Sequence, residues 1–478
     1  MRIYLLNPPY FPHFGRGARW QDTGRAGTLY FPVCLSYAAA VLDPDHELRF
    51  VDAPAWSWNR DDVLHDIEEF KPELLVFDSS FPSLKNDLEV ASEIKSKFPS
   101  LTIVLVGPPA SIYSDRILNS GSVDISARWE YDFTLKELAE VLENGGDITD
   151  ILGISYIKDG VIHHNPNRPF STSEMLDTIP FVAPIYKKYL NINDYFLGQS
   201  LNPEVQIFTG RGCPNHCTFC AWPQTLTGKC YRVRNITSVL DEVEWIENNL
   251  DVNEVFFEDD TFTINKNRVI EFCNGYLERG LSIAWACNAR ANTLDLETMK
   301  LMKKANCRLL IAGFESGSEE ILKTIKKGIT LEQIREYSKN ARKAGLLVQA
   351  DFIVGLPGET KETIAMTRNL IREIRSDLLQ VAVASPFPGT EFYDWCRENG
   401  YLLTDNPDEY LDECGHQKAI ISYPELSNEE MAAEVSSILK SYYVTPKYIP
   451  SALRQVLRRN GWLEFKRILF SAKMFLLD

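Results

Sequence analysis

The feature that most constrains the fold is an alternation, repeated twice, of short β-rich apolar runs with amphipathic helical segments. RIYLLN at 2–7, LLVFDSS at 74–80 and TIVLVGPP at 102–109 are nearly continuous apolar runs. Such runs suit parallel strands covered on both faces. Helical patterns at 61–70 and 87–97 lie between them. Residues 1–150 are therefore expected to form a doubly wound, Rossmann-like α/β domain. Ligands of such sheets lie at the strand carboxyl ends, here Asn7-Pro8-Pro9, Asp78-Ser79-Ser80 and Gly107-Pro108-Pro109. Six further runs follow between 203 and 400: VQIFT (205–209), EVFFED (254–259), IAWACN (283–288), LLIAGF (309–314), VQADFIV (348–354) and LQVAVA (379–384). Helical patterns such as ITSVLDEVEWIENNL (236–250) separate them, so this region reads as a partial (β/α)6 parallel barrel with its chemistry at the strand C-terminal ends. Residues 151–202 read as a connector that opens with a hairpin turned at Lys158-Asp159-Gly160. Residues 401–478 read as a helical C-terminal segment.

Charge and cysteine usage narrow the function classes. A net charge of −16 over 478 residues argues against a general nucleic-acid binder, which needs a basic face. Ten cysteines behind an N-terminus without signal-peptide character read as reduced thiols of a cytoplasmic protein. No stretch approaches the ~20 apolar residues that span a bilayer. The last 28 residues are basic instead: Arg454, Arg458, Arg459, Lys466, Arg467 and Lys473 stand against Glu464 and Asp478, interleaved with Trp462, Phe465, Phe470 and Phe475. Such a segment can rest at an anionic membrane surface, or dock on the protein's own acidic barrel.

The chemistry is concentrated in GRGCPNHCTFCAWP, directly after the first barrel strand. Cys213, Cys217 and Cys220 are spaced C-x3-C-x2-C with no fourth ligand nearby. A structural zinc ion needs four ligands and would have to recruit His216 or Cys230. Three thiolates in a compact loop suit a 4Fe-4S cluster with one iron left open to substrate or cofactor. Cys34, Cys273, Cys307 and Cys396 lie in apolar sequence and read as core thiols. Cys230 and Cys287 fall near the expected mouth and read as packing residues or auxiliary thiols. Cys414 and His416 are close in sequence, but two ligands do not define a metal site.

With its neighbours, this loop resembles the radical S-adenosylmethionine (SAM) enzymes. Phe219 precedes the third cysteine, the second barrel run ends in Glu258-Asp259-Asp260, the third in Asn288 and Arg290, and the fourth in GFESGS with Glu315 and Ser316. VGLPGET follows with Gly355 and Gly358, then SPFPGTEFY. The resemblance implies that the three cysteines hold the cluster and that SAM chelates the open iron. It places Glu258, Asp259 and Asp260 at the SAM amino group, Glu315 and Ser316 at its ribose and carboxylate, Arg290 among its polar contacts and Gly355 and Gly358 beside the adenine. Reductive cleavage would then give a 5′-deoxyadenosyl radical, with electrons from a partner such as ferredoxin or flavodoxin. The Asp259/Asp260 pair reads either as a proton-transfer group or as a solvated strand end.

A Rossmann-like domain ahead of such a barrel resembles the cobalamin-binding subgroup of that superfamily. No D-x-H-x-x-G occurs, and His46 and His65 lie outside that pattern, so a histidine ligand to cobalt is not expected and cobalamin occupancy stays open. The phrases CAWPQTLTGKCYRVRN (220–235), FFEDDTFT (256–263), LNINDYF (190–196) and FIVGLPGETKETI (352–364) resemble the hopanoid-biosynthesis-associated radical SAM proteins. That resemblance implies a lipid or glycolipid substrate whose sugar-derived head group contracts to a cyclitol. The rivals are a cobalamin-dependent radical SAM C-methyltransferase and a non-catalytic cluster- or corrinoid-binding sensor.

Overall fold

The computed structural model describes residues 1–477 other than Ala18, Trp20, Arg25, Ala26 and 458–460. Arg458, Arg459, Asp478 and the Phe475 side chain, part of the basic tail, lie outside the described residues. Seven strands form the first sheet: β1 (Arg2–Asn7), β2 (Glu47–Asp52), β3 (Leu74–Asp78), β4 (Thr102–Val106), β5 (Ile125–Ala127), β6 (Ile154–Lys158) and β7 (Val161–His164). Their order is β2-β1-β3-β4-β5-β6-β7, with β1 to β5 parallel. The chain reverses its direction of travel between β1 and β3, which is where doubly wound sheets open a crevice for ligands. Every β3 residue is buried, as expected for a strand covered on both faces.

Two of these strands are additions to the sequence reading. Charged Glu47, Arg49 and Asp52 interrupt the apolar run of β2, and β5 has only three residues, too few to show a period. The expected connector at 151–202 also needs correcting, because β6 and β7 belong to the sheet. Ile154, Ser155 and Tyr156 pair antiparallel with β5 and cover what would be a bare edge. Their hairpin turns at Asp159 (φ 53°) and Gly160 (φ 76°), the two left-handed positions of a type I′ turn.

The second sheet contains the six expected barrel strands: β8 (Glu204–Ile207), β9 (Glu254–Phe257), β10 (Ala284–Ala289), β11 (Cys307–Glu315), β12 (Leu347–Val354) and β13 (Leu378–Val383). They pair parallel and in chain order, leaving β8 and β13 as the edges of an incomplete barrel. Just beyond β8, Gly210–Arg211 pairs antiparallel with Arg232–Val233, so a two-stranded ribbon brackets the cysteine loop.

That ribbon joins the two halves of the molecule. Arg211 Nη1 lies 2.5 Å from Asp132, and Arg232 Nη1 lies 2.8 Å from Glu130, both acids belonging to the first domain and all four side chains nearly buried. Tyr37 adds a hydroxyl that accepts from the Phe208 N–H at 2.8 Å.

The C-terminal segment is helical only in part. Residues 401–426 run mostly irregularly through bridges such as Leu402–Ile421 and Leu411–Gln417. Helices Asn428–Tyr443, Ile449–Val456 and Gly461–Leu477 follow. The last of them closes the barrel at the N-terminal ends of its strands. There Arg308 binds Glu254 at 2.6 Å and Glu464 at 2.9 Å, and Arg467 binds Glu464 at 2.9 Å.

Removing one partner of a buried pair leaves the other charge stranded, at about 3–5 kcal/mol. Arg211→Met is therefore expected to lower stability by about that amount in chemical denaturation. Combining it with Asp132→Leu should recover most of the loss, whereas an additive double mutant would show that the pair does not act as a unit.

Candidate active site

Cys213, Cys217 and Cys220 line one cavity at the carboxyl ends of the barrel strands, with about 1180 Å³ of empty space including its open mouth. All three thiols are free and half-buried. The loop that carries them depends on Gly212, whose φ is +82° and where a Cβ would sit 2.3 Å from the Cys230 carbonyl. Gln224 clasps its far side, its Nε2 donating to the carbonyls of Cys220 (2.8 Å), Thr218 (3.3 Å) and Cys217 (3.4 Å). Asn215 Nδ2 donates to the Cys213 sulfur at 3.2 Å. Burial pushes the Cys220 thiol well above its ordinary value.

Among the described residues, no three His, Cys, Asp or Glu side chains converge as ligands of a single ion. His216 and Cys230, which a zinc site would need, are exposed and do not line the cavity. Cys287 is buried beside Cys307, away from the cavity lining. Cys414 is exposed, and His416 Nδ1 meets the Thr23 carbonyl at 2.8 Å. Cys34 packs against the main hydrophobic core, at its edge. It is half-buried, with the charges of Arg211, Asp78, Asp132 and Glu258 around it.

The strand ends separate the expected SAM residues into two groups. Phe219, Asp260, Asn288, Arg290 and Glu315 line the cavity with the cysteines. Glu315 follows a register shift in β11 and holds φ at +66°, a strained conformation for a side-chain-bearing residue. Its carboxylate folds back over Gly313, where a Cβ would lie 2.2 Å from Oε1, to meet Lys327 Nζ at 2.6 Å. Burial works against the Lys327 ammonium, but the Glu315 carboxylate and the nearby Cys217 together raise its pKa.

The remaining expected contacts do not line the cavity. Asp259 points toward the ribbon, accepting from the Thr209 N–H (2.6 Å), the Thr209 hydroxyl (2.7 Å) and the Tyr231 hydroxyl (3.1 Å). It is buried rather than a solvated strand end. Ser316 is buried against Thr367 and the Ser318 N–H. Glu258 is buried behind Arg19, and burial pushes its carboxyl up to about 7. Gly358 sits in an exposed turn. Gly355 lies behind Leu356, its N–H donating to Glu359 and its carbonyl accepting from the Tyr423 hydroxyl.

Several lining residues escaped the sequence reading. Arg19 reaches from the loop after β1 to Asp260 (2.8 Å) and the Glu258 carbonyl (3.0 Å), with its guanidinium 4.5 Å from the Trp222 ring. Lys327 and Asp351 add a cation and a carboxyl that burial pushes up to about 7. Trp222 and Gln224 both belong to the WPQT phrase, a signal that pointed to this loop without revealing what each residue does. Phe387, Phe392, Ile353 and Leu356 give the cavity an apolar wall.

At the crevice of the first sheet, Gly107 has φ +100°, and a Cβ there would lie 2.2 Å from the Ser79 carbonyl. The Tyr131 hydroxyl is buried nearby, just before Asp132, and has no hydrogen-bond partner among the described residues. Arg16 is buried on the β1 side of the crevice, bound to Asp87 at 2.6 Å and to Asn7 at 2.9 Å. Both histidines of the first domain weighed earlier lie elsewhere, His46 against the N-terminus and Glu143, His65 on an exposed helix face.

Residues 207–371 match the radical SAM superfamily model. The barrel is a radical SAM domain. Such a domain works with a 4Fe-4S cluster and SAM, and three free thiols on one cavity wall, beside charged groups of both signs, fit both. Over 97% of the chain, the sequence is 28% identical to an uncharacterized methyltransferase of Pyrococcus horikoshii, covering 96% of that protein. Over 75% of the chain it is 26% identical to the hopanoid C-3 methylase of Methylococcus capsulatus, covering 67% of it. Other relatives at similar distance are named as anaerobic magnesium-protoporphyrin IX monomethyl ester cyclases. The fold matches TsrM of Kitasatospora setae, a radical SAM methyltransferase solved with cobalamin and a 4Fe-4S cluster, with TM-score 0.72 and 16% identity over 100% of this chain and 99% of that one.

Two predictions follow from this geometry. Gln224→Ala removes the clasp from three loop carbonyls, and loss of such supporting contacts costs about 10–100-fold in metal affinity. Iron release to a chelator from the reconstituted variant should speed up accordingly, while unchanged release would show that the clasp is dispensable. Burial pushes the Glu359 carboxyl up to about 8. The folded chain therefore keeps a proton there that the unfolded chain loses at its ordinary value of 4.5, so this site's contribution to stability falls as pH rises from there to about 8. Glu359→Gln, always neutral, should show a shallower decline in melting temperature over that window.

Proposed function

We propose that this chain is a cobalamin-dependent radical SAM methyltransferase acting on an unactivated carbon. The observation that carries the reading is that the crevice of the first sheet and the cysteine cavity of the barrel belong to one joined unit. The ribbon bracketing the cysteines is ion-paired to Glu130 and Asp132, and Arg19 extends from the first domain to Asp260. The relative named as a methyltransferase supports the same reading along nearly the whole chain.

The Tyr131 hydroxyl, buried near Asp78 at the strand ends and without a partner among the described residues, suits the polar edge of a large flat cofactor laid there. When bound, the cluster supplies the electron that cleaves SAM, and the corrinoid carries the methyl group. The residues of the chain do the positioning. Cys213, Cys217 and Cys220 would hold the cluster, and Gln224 and Asn215 orient the loop around it. Arg19, held between Asp260 and Trp222, fixes the wall nearest Cys220. Glu315 and Lys327 offer a paired carboxylate and ammonium to the polar parts of SAM. Phe387 and Phe392 exclude water from the other side.

The hopanoid phrases in the sequence favour a second reading, ring contraction of a lipid-borne sugar. The relatives favour methyl transfer over it, the hopanoid methylase included. An anaerobic assay with a flavodoxin or ferredoxin as reductant separates the two. Methyl transfer consumes two SAM per turnover and yields S-adenosylhomocysteine with 5′-deoxyadenosine. Formation of 5′-deoxyadenosine without S-adenosylhomocysteine would overturn the methyltransferase reading. Absence of both, with an intact cluster, would favour a sensor.

A further inference from the structure

The helical hairpin at the C-terminus is turned inside out. Helices Ile449–Val456 and Gly461–Leu477 pack on each other, and the polar residues between them face the protein. Gln455 is fully buried, its Nε2 donating to the Asp377 carbonyl at 3.2 Å and its Oε1 accepting from Arg467. Glu464 and Arg467 are buried in the Arg308 network beneath the barrel. Arg454 pairs with Asp377.

The apolar residues face outward instead. Ile449 is 56% exposed, Leu453 54%, Leu457 82%, Trp462 65% and Leu469 54%. They recur at helical spacing, 449-453-457 on the first helix and 462-465-469 on the second, so each forms a stripe rather than a scatter. A contiguous exposed apolar face of this kind marks a surface with an occupant.

Charge selects the occupant. Residues 449–477 contain six Lys or Arg and a single acid, Glu464, in a chain whose net charge is −16. That acid points inward, and among the described residues the charged groups exposed on the last helix are Lys466 and Lys473. Lys466 Nζ lies 5.4 Å from the Trp462 ring, a pairing that suits the boundary between headgroups and acyl chains. A second copy would bring like-charged lysine rims together. At about 26 Å the last helix is long enough to lie along a surface, and no helix among the described residues is long and apolar enough to cross a membrane.

We propose that the hairpin 449–477 seats the protein on an anionic lipid surface. Ile449, Leu453, Leu457, Trp462 and Leu469 enter the acyl boundary, and Lys466 and Lys473 meet the lipid phosphates. The inward network of Gln455, Glu464 and Arg467 holds the two helices rigid, so the apolar face is presented at little ordering cost. This face lies at the N-terminal end of the barrel strands, opposite the cysteine cavity. It fixes where the protein sits and leaves the cavity mouth directed away from the bilayer. The inference does not depend on the reaction proposed above.

The test is flotation of the full chain with vesicles containing about one-third phosphatidylglycerol, beside vesicles of phosphatidylcholine alone. The full chain should float with the anionic vesicles and bind the neutral ones at least about tenfold more weakly. Leu453→Ser with Leu457→Ser and Trp462→Ser, all at exposed positions, should lower binding at least about tenfold without changing the melting temperature. Lys466→Glu with Lys473→Glu should do the same and remove the salt dependence. With brominated phosphatidylglycerol, tryptophan quenching should appear in the full chain and disappear in Trp462→Phe. Failure to float with anionic vesicles, or unchanged binding by the triple variant, overturns the proposal. It is also overturned if the full chain dimerises in sedimentation velocity without lipid binding and the triple variant is monomeric, which would make this face a self-association interface.

Discussion

The interdomain ion pairs Arg211–Asp132 and Arg232–Glu130 are the contact on which the rest of the structure depends. Both arginines lie on the short ribbon that opens and closes the cysteine loop, and both acids lie on the first domain. Buried ion pairs add little net stability, because desolvation offsets most of their attraction. What they supply is register. A carboxylate stranded by a slipped ribbon would cost several kcal/mol, so only one seating of the cysteine loop against the Rossmann-like sheet is tolerated. Arg19 extends the same arrangement, since a residue from the first domain becomes part of the cavity wall.

Strain is concentrated at the site that this joint positions. Glu315 holds a left-handed backbone conformation that costs about 1–3 kcal/mol for such a residue. The buried bond to Lys327 and the missing Cβ at Gly313 make that conformation tenable and set the carboxylate on the cavity wall. Just past the next strand, Glu359 accepts the N–H groups of Gly355 and Leu356, fixing the turn that brings Leu356 into the lining. The glycines of GLPGET thus shape the turn, and the side chain between them reaches the cavity.

The two ends of the barrel divide the work. The cysteines and the charged residues of the cavity wall gather at the strand carboxyl ends, while the last helix plugs the amino ends through Arg308, Glu254 and Glu464. That plug sequesters the polar residues of the tail, and its apolar stripes are exposed for that reason. The basic tail is therefore divided, with Arg454 and Arg467 paired to the protein and Lys466 and Lys473 exposed.

Sequence alone determined the α/β class of both halves, three parallel strands of the first sheet, the six barrel strands and the loop of three cysteines. Continuous apolar runs and close cysteine spacing are local properties that survive without knowledge of partners. The family resemblance led to Asp260, Arg290 and Glu315, which lie just past or at the ends of strands whose positions the runs define. Only the tertiary structure decided which strand-end residues face the cavity. Asp259 and Asp260 are adjacent, yet one binds Thr209 and the other lines the cavity with the cysteines, because both lie past the end of their strand where the chain turns. Arg19 and Lys327 were illegible for a different reason: each acts on a partner from another segment, Arg19 across 241 positions to Asp260. The inverted hairpin was equally hidden, because an amphipathic pattern shows that two faces differ but not which one turns inward. That choice was made by the buried acid and arginine waiting at the base of the barrel.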